Sequence, residues 1–215
     1  GRVHDALTDP DAVRLHTLVA DLRRRKDPDE IALLKECMRV TNAGHEWAMV
    51  VAEPGMTEME VYSGIAAECS RVAGFPVVVY GDFAVSDGMA RRGGMATSRE
   101  LKAGDLLILD FSVVIQGYRS DFTNTLCVGG RPTDAQQKLF DVCVAAMAAG
   151  EAVLKGGAKC QDVYDAVRGV FASEGLANAF PHHAGHGLGV SHPEPPYFVE
   201  HSEGEVVAGD VVTLE

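Results

Sequence analysis

Residues 105–128 read DLLILDFSVVIQGYRSDFTNTLCV, and this stretch decides the fold. Two runs rich in β-branched and aromatic residues flank Gln116-Gly117, a hairpin turn signal, so the segment predicts two antiparallel strands. Each carries a carboxylate, Asp110 on the first and Asp121 on the second, eleven residues apart. With the turn between them, the two acids can face each other across the ladder. Like charges opposed on a sheet cost energy unless a positive group lies between them, and a metal ion answers that need most simply. The competing reading is that one acid points to solvent. It suits Asp110 poorly, because that residue follows the run Leu106-Leu107-Ile108-Leu109 and precedes Phe111.

Working outward towards the N-terminus, the pattern predicts a helix over residues 12–25 that ends in the basic cluster Arg23 to Lys26. Asp27, Pro28 and Glu30 then open a second helix that runs through Trp47 to about Ala52. Thr57 and Glu60 form a capping box for a third, which ends near Gly74. Residues 77–80 read as a strand and residues 81–101 as a long loop, where Arg91-Arg92 could receive a substrate carboxylate or be solvated. Towards the C-terminus follow helices over about 134–154 and 160–173, a Gly/His/Pro-rich stretch from Pro181 to Pro196, and a strand-like run from Asp210 to Glu215.

Two parts of this order repeat. A shift of 102 residues lays EPGMTEMEVY (53–62) over KGGAKCQDVY (155–164), and a shift of 105 lays AGDLLILD (103–110) over AGDVVTLE (208–215). The second alignment puts Glu215 where the first copy has Asp110. In the stretch FPHHAGHGLGVSHPEPPYF (180–198), four histidines, His182, His183, His186 and His192, are threaded by three glycines. Neutral imidazole is the commonest metal ligand, and glycine lets the backbone approach a site closely. Two Asp, one or more His and a Glu make a mixed oxygen and nitrogen donor set, suited to Mn, Co, Zn or Fe(II) rather than to a thiolate site.

Composition narrows the classes. The chain has 215 residues, 47% of them hydrophobic and 23% charged, the profile of a folded globule. Nineteen basic against 31 acidic residues give a net charge of −12, which disfavours nucleic acid and anionic membranes as partners. Five cysteines without a Cys-x-x-Cys pair read as packing residues in a reducing compartment, and the N-terminus has no apolar leader run, so the expectation is a cytoplasmic protein. The chain begins without Met and stops on VVTLE, which reads as a slice of a longer protein.

The blocks LILDFSVVIQGYRSDFTNT, AGHGLGVSHPEPPYF and AGDVVTLE, in that order, resemble the pita-bread metallohydrolases: methionine aminopeptidase, Xaa-Pro aminopeptidase, prolidase and creatinase. The resemblance covers about residues 28–215. It implies an α+β pita-bread fold, two pseudo-symmetric α-α-β halves around a curved antiparallel sheet, with residues 1–27 ending a preceding domain or linker helix and the catalytic domain lacking its last strands. It implies two divalent metal ions, manganese favoured. Asp110 would bind one, Asp121 bridge both, His186 bind the other, and Glu215 act as a further ligand and proton shuttle. The family's fifth ligand would fall near position 226. His182 and His192 match histidines that hold substrate and stabilise the tetrahedral intermediate, although His192 follows His186 by six residues where relatives usually have seven.

Two departures bear on activity. A further family histidine falls on Gly93, and the arginine that relatives carry after the second aspartate falls on Asn124. The implied function is a homodimeric dinuclear peptidase of the Xaa-Pro type, cleaving the N-terminal bond of short peptides or dipeptides. The alternatives are a creatinase-like hydrolase or small-molecule lyase on the same scaffold, and a catalytically silent binding module.

Overall fold

The computed structural model describes residues 10–87, 93–180 and 182–215. Arg91 and Arg92 lie outside them. Helix α1 spans Pro10–Arg24, α2 Pro28–Val51 and α3 Glu58–Ala73; strands β1 (Val78–Ser86), β2 (Leu106–Ile115), β3 (Tyr118–Arg119) and β4 (Phe122–Cys127) follow. Then come α4 (Asp134–Val153), α5 (Cys160–Ser173), a short 3-10 turn (Ala177–Ala179), and strands β5 (Gly185–Gly187), β6 (Glu194–Tyr197) and β7 (Val212–Leu214). Among the described residues no helix is long and apolar enough to cross a membrane.

The chain divides into two compact units, one of Asp29–Ala145 with Glu215, the other of Ala146–Leu214 with the N-terminal residues up to Pro28. In the first unit β2 is central, paired antiparallel with β1 on one side and with β3 and β4 on the other. Gln116 and Gly117 both take positive φ, 51° and 87°, which closes the expected hairpin with the twist its strands require. Alternation along β2 turns Leu107, Leu109, Phe111, Val113 and Ile115 into a core that includes Val40 and Ala48 of α2 and Val61 and Ile65 of α3. Each such side chain contributes roughly 1.5–3 kcal/mol when fully buried. The sum fixes the register, because a slip of one residue would drive Asp110 into the core and Leu109 out of it. Trp47 packs against this core over Gly64, where a Cβ would lie 1.9 Å from the indole. The capping box at Thr57 and Glu60 forms as expected, and Gly74 ends α3 at φ 81°.

Both internal alignments have a structural counterpart. In the first unit Gly55 N–H donates to Leu101 O, Leu101 N–H to Met56 O and Glu58 N–H to Arg99 O, while Thr57 bridges Glu100. In the second, Gly157 N–H donates to Val206 O, Val206 N–H to Ala158 O and Cys160 N–H to Gly204 O, while Lys159 bridges Glu205. The helix-side partners are offset by 102 positions and the strand-side partners by 105, and Gly55 and Gly157 share a positive φ, 96° and 84°.

Three expectations change. The strand expected over residues 77–80 runs on to Ser86, through residues read as loop, because Phe83, Ala84 and Val85 are buried. The Gly/His/Pro-rich stretch holds two short strands, β5 and β6. Helix α1 forms, yet Leu15, Leu18 and Leu22 are exposed rather than packed. Its basic end is engaged: Arg24 pairs with Asp210 at 2.7 Å, and buried Lys26 pairs with buried Glu194. All five cysteines are free thiols.

Candidate metal centre

Three of the acids singled out from sequence come together in the first unit. Asp110, Asp121 and Glu215 each offer a carboxylate oxygen, and the three atoms lie within 4.8 Å of one another. The two aspartates share a face of the sheet, but they are not directly opposed. Asp110 faces Thr123 on β4 and Asp82 on β1, so Asp121, two residues before Thr123, is its diagonal neighbour. Both ladders leave Asp110 on the side of β2 away from Leu109 and Phe111.

The electrostatics of this cluster are compatible with a cation. Burial pushes the Asp110 carboxyl up to about 6; the Thr123 hydroxyl opposes the shift, while the neighbouring charges of Asp121, Glu215 and Asp82 add to it. Carboxylates held this close and partly out of water repel one another, a repulsion that a shared cation relieves. An all-oxygen set of this kind suits a hard or borderline divalent ion. The donors present therefore fit the metal expected from sequence.

The second unit carries the histidines. His186 is buried on β5, in register with Thr213 on β7, and its Nδ1–H donates to the Gly187 carbonyl at 2.8 Å. A carbonyl can only accept, so in the neutral ring the lone pair lies on Nε2, the tautomer a metal ligand needs. The His183 and His192 rings adjoin it, with centroids 5.4 Å and 4.9 Å away. His182 is exposed, donates from Nδ1 to the His183 carbonyl at 2.9 Å, and stacks obliquely on Phe180.

Near these groups, Asp82 is not among the residues singled out by the sequence, and His183 is named there only as one of four histidines. Asp82 falls in the segment read as loop, and the apolar run Phe83-Ala84-Val85 that follows it is the available signal of a strand there. His183 was one of four histidines, with nothing in the spacing to separate it from His182.

The sequence pattern of metallopeptidase family M24 matches residues 32–215. A Bacillus subtilis (strain 168) protein, the uncharacterized peptidase YqhT, is 29% identical over 211 residues, covering 97% of this chain and 59% of its own length. Among solved structures, an Xaa-Pro dipeptidase from Bacillus anthracis superposes with a TM-score of 0.80 at 26% identity, over 92% of this chain and 55% of that one. Dipeptidase PepE from Mycobacterium ulcerans does so with a TM-score of 0.80 at 27% identity, over 95% and 53%. The fold is thus the α+β pita-bread fold of prolidases and aminopeptidases, and the chain spans little more than half the length of the relatives it matches.

Proposed function

Because the chain belongs to metallopeptidase family M24, we propose that it carries the metal-binding centre of a peptidase acting at the N-terminal bond of short peptides or dipeptides, Xaa-Pro substrates included. The observation that carries this reading is the convergence of Asp110, Asp121 and Glu215. In it, Asp110, Asp121, Glu215 and His186 hold two divalent cations, with manganese favoured over cobalt, zinc and iron. When bound, such ions polarise a carbonyl and lower the pKa of water towards about 7.

The chain's own residues supply the rest. The Glu215 carboxylate accepts a proton and passes it to the leaving amine. An N–H of His192 donates to the developing oxyanion, and His182 holds the substrate from the exposed end of the histidine row. In the same reading residues 1–27 close a preceding domain, residues 28–215 belong to the catalytic domain, and the protein works as a cytoplasmic homodimer.

A second reading, a creatinase-like hydrolase or lyase on this scaffold, is favoured by one detail. A Cβ at Gly93 would lie 2.2 Å from Asp82 Oδ2, so the carboxylate occupies the space in which a side chain at position 93 would start. A wall that carries an acid there selects a different substrate polarity from one that carries an imidazole. The test is a metal-depleted preparation reloaded with Mn²⁺ or Co²⁺ and offered Xaa-Pro dipeptides, longer peptides and compact amidino or sulfonium compounds. Restored Xaa-Pro cleavage supports the first reading, and turnover confined to the small compounds supports the second. A metal-loaded protein inert to the whole panel sinks both in favour of a binding module.

A further inference from the structure

Helix α2 runs beside the strand segment 118–122 in matched steps. Cys37 Sγ–H donates to the Tyr118 carbonyl at 3.3 Å, Thr41 Oγ1 lies 2.6 Å from Ser120 Oγ, and His45 Nε2 lies 3.2 Å from the Phe122 carbonyl. Every fourth helical residue thus meets every second strand residue. The steps agree because four residues of helix rise about 6 Å and two of strand about 6.6 Å. The last two rungs bracket Asp121.

The helix adds to what the sheet supplies on either side of Asp121. The register of β2 with β3 and with β4 is continuous, although β3 ends at Arg119 and β4 begins at Phe122; between them Ser120 N–H donates to the Val113 carbonyl at 3.1 Å. Val113 N–H in turn donates to Ser120 Oγ at 2.7 Å. Since Thr41 Oγ1–H donates to the Cys37 carbonyl at 2.8 Å, the Ser120 hydroxyl donates to Thr41, and the chain of bonds is directed from β2 into the helix. Thr41 and Ser120 are both fully buried, so this bond does not compete with water.

His45 completes the bracket. It is 1% exposed and lies between Phe111, stacked at 4.4 Å, and Phe122, edge-on at 4.7 Å. Its Nδ1 is buried and makes no hydrogen bond. A phenyl ring would fill the same space without orphaning a nitrogen; what the imidazole alone adds is the Nε2–H bond to the Phe122 carbonyl. We propose that Thr41 and His45 are positioning residues that together fix the backbone on both sides of Asp121 and so aim its carboxylate at Asp110 and Glu215. The inference rests on the reading of Asp121 as a metal ligand.

The test is Mn²⁺ affinity by calorimetric titration, measured beside the melting temperature in EDTA, for the full chain and for Thr41→Val, His45→Phe and His45→Gln. Loss of one such bond typically costs about fivefold in an equilibrium, so Thr41→Val and His45→Phe should each weaken Mn²⁺ by about that factor. His45→Phe should melt no lower than the parent, because its orphaned nitrogen is gone, and His45→Gln, whose amide can donate to the same carbonyl, should restore the affinity. Parental affinity in both His45→Phe and Thr41→Val, or a loss that His45→Gln leaves in place, overturns the proposal. Asp121→Asn separates the two levels. If it binds Mn²⁺ like the parent, the ligand reading falls and takes this inference with it; if it loses Mn²⁺ while the clamp variants do not, only the clamp falls.

Discussion

Asp82 stands directly opposite Asp110 across β1 and β2, so the two carboxylates leave the sheet on the same face. Directly paired side chains in an antiparallel ladder have Cβ atoms only about 5 Å apart, and like charges there destabilise by up to about 1 kcal/mol. Replacing Asp82 by Asn should therefore raise the stability of the metal-free protein by a few tenths to about 1 kcal/mol at neutral pH. Melting curves in EDTA measure it, and a lower melting temperature would show that Asp82 is not repelling its neighbour.

Proton and metal compete for Asp110. Its carboxyl is raised from 3.8 to about 6, first by burial and then by the neighbouring acids. The folded metal-free chain therefore holds a proton that the unfolded chain releases earlier. The stability this gives is complete below pH 3.8 and lost as pH rises through 6. A cation requires the ionised form, so affinity moves the other way. Mn²⁺ binding should be level above pH 7 and weaken below 6, by about tenfold per pH unit for a single coupled proton. Titrations at pH 7.5, 6 and 5 check this, and an affinity flat across that range counts against Asp110 as a ligand.

Much of this arrangement could be read from the chain. The turn residues Gln116 and Gly117 and the alternating run around Asp110 fix the hairpin, and the recurrence of Ala-Gly-Asp marks the duplicated frame. What escaped depends on contacts distant in sequence. Gly81 reads as a strand breaker, but in place it is the residue that lets β1 pass the Asp110 carbonyl, where a Cβ would lie 2.1 Å from that oxygen. β5 and β7 are three residues each, too short for any period to register. The side-chain bonds of Ser120, which accepts from Val113 N–H and donates to Thr41 on a helix some eighty positions earlier, are carried by no local pattern.

The same close approach makes a prediction about glycine. Gly81 takes φ 151°, and Gly185 in the second unit takes 134°, with a Cβ there 2.1 Å from the Thr213 carbonyl. Alanine at either position meets backbone that cannot swing aside. Gly81→Ala and Gly185→Ala should each cost about 2–4 kcal/mol, with part of the loss from the dihedral and part from the parted strands. Denaturant unfolding gives the number. Gly55→Ala is the control, since its φ is also positive but no atom lies within 4 Å, and it should cost only the smaller dihedral share.

Acid should act on His45. Burial pushes its pKa down from 6.5 to about 4, so the folded protein keeps the ring neutral while the unfolded chain protonates it. A depressed pKa contributes stability above pH 6.5 that is lost as pH falls towards 4, at most about 3 kcal/mol for a shift of this size. His45→Phe should remove that share of the acid sensitivity. The check is the difference between the two stability curves, which should grow in favour of the variant from pH 6.5 to 4; parallel curves would mean the ring is free to charge in the folded state.

The pair Lys26 and Glu194 tests how the second unit is held. Their side chains are 1% and 3% exposed, Lys26 also donates to the Arg24 carbonyl, and Glu194 accepts from Ser191 N–H at 3.4 Å. Glu194 lies in register with Gly187, the residue after His186, and follows His192 by two positions, so the ion pair ties the N-terminal segment to the histidine stretch. Removing one member leaves a buried charge with no counter-ion. Lys26→Met should therefore cost about 3–5 kcal/mol, far more than loss of a surface pair, whereas Lys26→Met with Glu194→Leu should recover much of that, since the uncompensated charge goes with the second change. Equal losses in the single and double variants would instead mean that the stability comes from packing of the two stems.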